Sequence, residues 1–148
     1  MAVTGKPETA TKLSSASETT LFLSRFNHFE DGVITGIQLH LPRTSEHTSG
    51  ISFDIQAMDD ESSNEWRLVR IILLRVYEYL VQEREAAFGM TVLSDGLNCH
   101  YSPDKFLLDL DPGPDEWSPH GAYPGGIYGR QYARGTHCYY RVLDGPFI

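Results

Sequence analysis

Residues 88–110 constrain the fold most tightly, because two short turn signals there separate three apolar-rich runs. The runs are Phe88–Ser94, Leu97–Tyr101 and Lys105–Leu110, and the separators are Asp95-Gly96 and Ser102-Pro103-Asp104. Asp-Gly favours a two-residue hairpin loop, in which both central residues take positive φ. Closing that loop pairs Ser94 with Leu97, Val92 with Cys99 and Met90 with Tyr101. Closing the second turn around Pro103-Asp104 pairs Tyr101 with Phe106, Cys99 with Leu108 and Leu97 with Leu110. The two registers are set independently and agree. Met90, Tyr101 and Phe106 form one row across the strands, and Val92, Cys99 and Leu108 form the next. Each such pair stabilises a sheet by roughly 0.2–1 kcal/mol, and a one-residue slip would turn every one of them to solvent. An antiparallel meander over 88–110 is therefore expected.

Elsewhere the alternation has the same period. Ile37, Leu39 and Leu41 alternate with Gln38 and His40, while Ile51, Phe53, Ile55 and Ala57 alternate with Ser52, Asp54 and Gln56. Both stretches read as strands that pair across the polar loop Pro42–Gly50. Thr136–Leu143 reads as a final strand with Cys138, Tyr140 and Val142 on one face. Residues 63–86 are ambiguous. A single helix would align Trp66, Val69, Ile72, Leu73, Val76 and Leu80, and Ser62 with Glu65 would form a capping box. Ile71 and Leu74 then fall on its polar face, and the stretch is β-branched and aromatic almost throughout, so two strands broken near Leu74 are preferred. The expected fold is mainly β, or α+β, an antiparallel sheet or sandwich.

With 148 residues the chain fits one domain able to bury a core without metal or disulfide. Residues 1–20 read as a flexible polar tail and 21–148 as a single β-rich domain. The tail has no apolar segment of the kind a signal peptide needs, and no run approaches the length of a membrane span. With two cysteines, a reducing cytoplasm is the expected location. The formal charge of -8 argues against general affinity for nucleic-acid phosphates, which need clustered Lys and Arg. It is compatible with a basic protein partner. An edge strand covered by a second copy is a further expectation.

Candidate sites concentrate late in the chain. Residues 111–135 read as a Pro- and Gly-rich loop, and loops of that length are often functional. Its candidate binding surface comprises Asp111, Asp115, Glu116, Trp117, His120, Tyr128, Arg130, Tyr132 and Arg134, since Tyr and Arg are typical interface anchors. The same Tyr–Arg interleaving can stack on single-stranded bases, although the acidic balance opposes that use. Asp109 and Asp111 resemble the start of a calcium loop, but Gly113 stands at the third ligand position and no closing Glu follows, so a solvated strand end is the expectation. Cys99-His100 and His137-Cys138 are zinc-ligand types, yet neighbours on a strand point to opposite faces, so core thiols and surface imidazoles are expected instead. His28 and Asp31 are close enough to couple but lack a nucleophile motif to activate; Asp31-Gly32 reads as a turn into the first strand. No cofactor or metal is called for, and no catalytic residue is assigned.

The segment Phe26-Asn27-His28-Phe29-Glu30-Asp31-Gly32-Val33-Ile34 resembles the opening of a loose group of small bacterial β-rich proteins with a Phe-His-Asp-like motif. Val92–Leu97, the Asp109–Pro112 exit and the closing Tyr140-Arg141-Val142 add to the resemblance. Asn27–Glu30 departs from the simplest spacing of that motif. Some proteins of this kind are considered immunity proteins that neutralise toxins of competing bacteria. The resemblance implies a β-rich binding protein without catalytic residues and transfers no functional residue. The leading expectation is a noncatalytic cytoplasmic interaction protein that holds a protein partner through an acidic or aromatic surface. The rival is a small-molecule- or metal-binding β protein, or a small enzyme, with its site beneath residues 111–135 around Asp111, His120, Tyr128 and Arg130.

Overall fold

The computed structural model describes residues 9–44, 48–81, 91–93, 95–112 and 131–143. Among the described residues ten strands form two antiparallel sheets, with one α-helix packed against them. Sheet A holds six: β1 (Thr11–Lys12), β10 (His137–Leu143), β4 (Glu65–Leu74), β3 (Gly50–Asp59), β2 (Gly32–His40) and β6 (Thr91–Leu93), adjacent in that order. Sheet B holds β5 (Glu78–Leu80), β9 (Tyr132–Gly135), β8 (Lys105–Asp109) and β7 (Asn98–Ser102), also in spatial order. The expected β-rich antiparallel architecture is present.

Sheet A is organised by period-two burial. On β3, Ile51, Phe53, Ile55 and Ala57 are buried, as are Val69, Ile71 and Leu73 on β4. In β2, pairing with β3 shifts between Ile34 and Gly36. This bulge puts Ile34 and Ile37 on the same side of the sheet despite their odd spacing, opposite Ile55 and Phe53 respectively. Residues 65–80 form two strands, with the break after Leu74. That break is a corner. Arg75 takes φ 53°, and the chain passes from sheet A into sheet B. The adjacent ribbon β9–β10 makes the same passage at Gly135, where a Cβ would stand 2.6 Å from the Leu74 carbonyl oxygen.

The 88–110 expectation holds for its second half only. Tyr101 pairs with Phe106 and Cys99 with Leu108, as the turn at Pro103-Asp104 dictates. The first hairpin does not form among the described residues: β6 pairs with β2, placing Leu93 opposite Gly32, and lies in a different sheet from β7. Met90 and Ser94 lie outside the described residues. Asp95-Gly96 does turn the chain, with Gly96 at φ 72° and its N–H donating to the Leu93 carbonyl at 2.9 Å. The turn leads away from sheet A, because the Leu97 N–H donates to His28 O at 3.0 Å. An Asp-Gly pair specifies a reversal but not the strand that receives it.

The polar-tail expectation is also corrected, since order begins well before Leu21. Thr11 and Lys12 pair with β10, and Leu13 is buried. Helix α1 spans Ala16–Arg25, started by Ser15, whose hydroxyl accepts from the Glu18 N–H. The Glu18 carboxylate reaches back to accept from the Ser14 N–H at 2.7 Å, just ahead of the cap. Thr19, Phe22 and Leu23 are its buried face. At its C-terminus Arg25 makes a bidentate contact with the fully buried Asp59, at 3.0 and 3.1 Å, tying the helix to the end of β3.

After the helix, Asn27, His28 and Phe29 all take φ between 54° and 58°, and Asp31 follows at 59°. Left-handed backbone costs non-glycine residues roughly 1–2 kcal/mol each, so a run of it requires compensation. Phe26 and Phe29 supply this, both fully buried and packed with Phe22 in edge and tilted contacts at centroid distances of 5.4–5.5 Å. Asp31-Gly32 turns the chain into β2 as expected. A Gly96→Ala substitution should destabilise by on the order of 2–4 kcal/mol in chemical denaturation, because its φ is left-handed and a Cβ would overlap the His28 carbonyl oxygen. Gly36→Ala, whose Cβ meets nothing nearer than 3.6 Å, should stay within about 0.5 kcal/mol of the parent.

Candidate functional site

The outer face of sheet A follows directly from the registers. One row across the strands is Arg141, Arg70, Asp54 and Gly36. Beside it run Lys12, Tyr139, Ile72, Ser52 and Gln38, then His137, Leu74, Gly50 and His40. On the other flank lie Leu143, Leu68, Gln56 and Val33, with Trp66 opposite Met58 beyond them. The aromatic cluster of Phe22, Phe26 and Tyr140 packs on the opposite, inner face. Trp66 is exposed, and Leu68, Ile72, Leu74, Tyr139 and Leu143 are half-buried.

Glycine shapes this face. Gly36 and Gly50 contribute no side chain, and Ser52 between them is short, so two adjoining depressions of about 280 Å³ each open along β3. Asp54 and Ile37 border one; Arg70, Ile72, Leu74 and His40 border the other; Gln38 and Ser52 line both. Together they make a shallow groove with one apolar wall.

Its electrostatics oppose those of the whole chain. Arg70 contacts Asp54 with Nε at 2.7 Å and Nη2 at 3.0 Å, a bidentate pair. The hydrogen bond to Asp54 holds the Arg70 guanidinium above its ordinary pKa. Arg141 stands directly opposite Arg70 on β10. Its Nε is shielded from solvent and donates to no group among the described residues. Lys12 adds a third cation, and Asp54 is the one carboxylate in these rows. A chain of formal charge -8 thus presents a locally cationic face.

The residues singled out in the sequence lie elsewhere. Asp115, Glu116, Trp117, His120, Tyr128 and Arg130 fall outside the described residues. Tyr132 and Arg134 belong to strand β9, a correction to the expected loop over 111–135. They share the outer face of sheet B, where Arg134 lies over the Tyr132 ring at 5.5 Å and 3.1 Å from Glu78 on β5. Asp111 is buried, at odds with an exposed contact surface.

Asp109, expected at a solvated strand end, is fully buried on that same face, opposite Tyr132 and Asn98. Its Oδ1 accepts from the Asp111 N–H at 3.0 Å, while Oδ2 has no partner among the described residues. Burial, reinforced by the Asp111 charge, pushes the carboxyl up to about 6. Its position outward from β8, beside buried Leu107, shows that both faces of this strand are covered.

Cys99 and Cys138 both point into the core, and burial pushes both thiols well above the ordinary range. His100 is exposed and His137 lies on the outer face of sheet A, so neither Cys-His pair converges. Among the described residues no three His, Cys, Asp or Glu side chains gather as a metal site. His28 and Asp31 are both exposed. Comparison of the chain with protein-family models, curated proteins and solved structures finds no match.

Asp109 generates a pH prediction. Its carboxyl binds a proton more tightly in the folded state than at the ordinary value of 3.8, so folding stability should fall as pH rises from 3.8 to about 6 and level off above. Asp109→Asn should remove that slope and raise stability at pH 7 by about 2 kcal/mol, allowing for residual screening. Denaturant titrations of both proteins at pH 4.5 and 7 check the sign.

Proposed function

We propose that this is a noncatalytic interaction protein that holds a protein partner against the outer face of sheet A. The carrying observation is the central strand β4, which is apolar on both sides. Val69, Ile71 and Leu73 enter the core, and Leu68, Ile72 and Leu74 point the other way. An antiparallel sheet whose second face meets only water alternates apolar with polar; this strand does not. Trp66, Met58, Tyr139 and Arg70 around it are the residue types enriched at interface centres. Toxin neutralisation, the role implied by the sequence resemblance, is one form of such binding. Two unpaired thiols support a reducing compartment, and the reading places the protein in the cytoplasm. No helix among the described residues is long and apolar enough to cross a membrane.

A second reading rests on Asp109. A buried carboxyl with a raised pKa, beside Asp111 and Tyr132, is the kind of group found in ligand and catalytic sites. It supports a small-molecule site beneath residues 111–135, and a stabilising hit in a ligand thermal-shift screen, lost in Asp109→Asn, would favour it.

Affinity capture from the native host with the tagged full chain separates the readings. A stoichiometric protein partner is expected, lost on Ile72→Lys and weakened by Gly50→Val, which fills the groove from a position where a Cβ meets only ordinary contacts at 3.5 Å. His100→Ala, an exposed change on sheet B, should leave capture intact. Absence of a stoichiometric partner, or a partner indifferent to both sheet A substitutions, overturns the proposal.

A further inference from the structure

We infer that the partner meeting this face sets one carboxylate side chain on it, gripped by Arg141 beside the Arg70–Asp54 pair. This rests on the protein-binding reading above and adds the chemistry of the partner.

Arg141 and Arg70 are direct cross-strand neighbours on one face. Like charges in that position destabilise an antiparallel pair. Three other guanidiniums have a carboxylate beside them: Arg25 at Asp59, Arg70 at Asp54 and Arg134 at Glu78. Arg141 has no carboxylate among the described residues, and its Nε is withdrawn from water without an acceptor. An orphaned charged donor costs the desolvation without the return, by more than a neutral group would. A pair arranged in this way is completed by an anion arriving from outside.

The surroundings select the class of anion. Tyr139 and Leu143 flank Arg141 along β10, and Leu68 and Ile72 flank Arg70 along β4. These apolar neighbours exclude water and strengthen a charge-assisted hydrogen bond. A single side-chain carboxylate matches the fork of one uncompensated guanidinium. Nucleic acid would bring a phosphate every few ångströms and needs many cations in line, whereas this face offers Lys12, Arg70 and Arg141 on a chain of net charge -8. The long-range field of that chain repels polyanions, so only an acid seated within these rows is rewarded.

The test uses the full-length protein and two blocked hexapeptides, one alternating Glu and Thr, the other alternating Gln and Thr. The readout is nitrogen–proton correlation spectra of the arginine Nε–H groups and the backbone amides. The Glu peptide should shift the Arg141 and Arg70 Nε–H signals and amides of β10 and β4 at millimolar concentration. Binding should weaken with added salt, and the Gln peptide should bind at least about tenfold more weakly, the loss of one charge-assisted contact. Arg141→Gln, whose remaining amide spectrum reports its fold, should abolish the response. Equal shifts from both peptides, shifts confined to other surfaces, or no response at 10-fold molar excess through about 10 mM would each overturn the inference, the working range being set by millimolar affinity. Any of those results leaves the partner capture described above free to succeed, so failure of the carboxylate contact is distinguishable from failure of the binding reading.

Discussion

The left-handed turn at Asn27–Phe29 is the constraint on which the rest of the arrangement hangs. Three consecutive residues lie in a region that L-amino acids avoid, and fully enclosed Phe26 and Phe29, packed on each other and on Phe22, hold the turn in place. The carbonyl of His28 then accepts from Leu97, and the N–H of Asp31 donates to the Leu93 carbonyl. One short turn thereby receives the end of β6 and directs the start of β7. It positions the helix, the first long strand of sheet A and the entry to sheet B relative to one another.

The two outer faces have opposite characters. Sheet B turns outward an aromatic ring, an arginine beside Glu78 and a buried carboxyl whose Oδ2 has no partner among the described residues. Sheet A turns outward a broad apolar band crossed by one row of charge in which Arg141 is left over. Both depend on β-registers set by the inner face. The bulge at Thr35 is decisive here, since without it Gly36 and Gln38 would point inward and the groove would lose its rim.

Alternation was legible wherever one side of a strand faces the core, as in Ile51–Ala57 and in the Cys99–Leu108 pairing. It was least legible in Glu65–Leu74, because both sides of that strand are apolar, and the defect that obscured its structure is the one that marks its surface. The helix carried a readable signal: Ser15 and Glu18 at capping-box spacing, followed by Thr19, Phe22, Leu23 and Phe26 at helical intervals. The polar composition of the preceding residues masked it. Asp95-Gly96 misled for a different reason, since a turn motif describes four residues and the choice of partner strand is made by distant ones such as Gly32. The opposition of Arg141 and Arg70 links residues 71 positions apart and has no local signature.

The strand order has a consequence for how the chain is made. β4 is flanked by β3, its near neighbour in sequence, and by β10, which follows more than sixty residues later. During synthesis the β3–β4 hairpin can close early, but one side of β4 keeps its peptide groups unpaired until residue 143 has left the ribosome. At translation rates of about 5–20 residues per second, that interval lasts seconds. A strand apolar on both sides, with a bare edge, is then a template for any other nascent chain. Newly made copies therefore pass through a stage in which a chaperone has the most to cover.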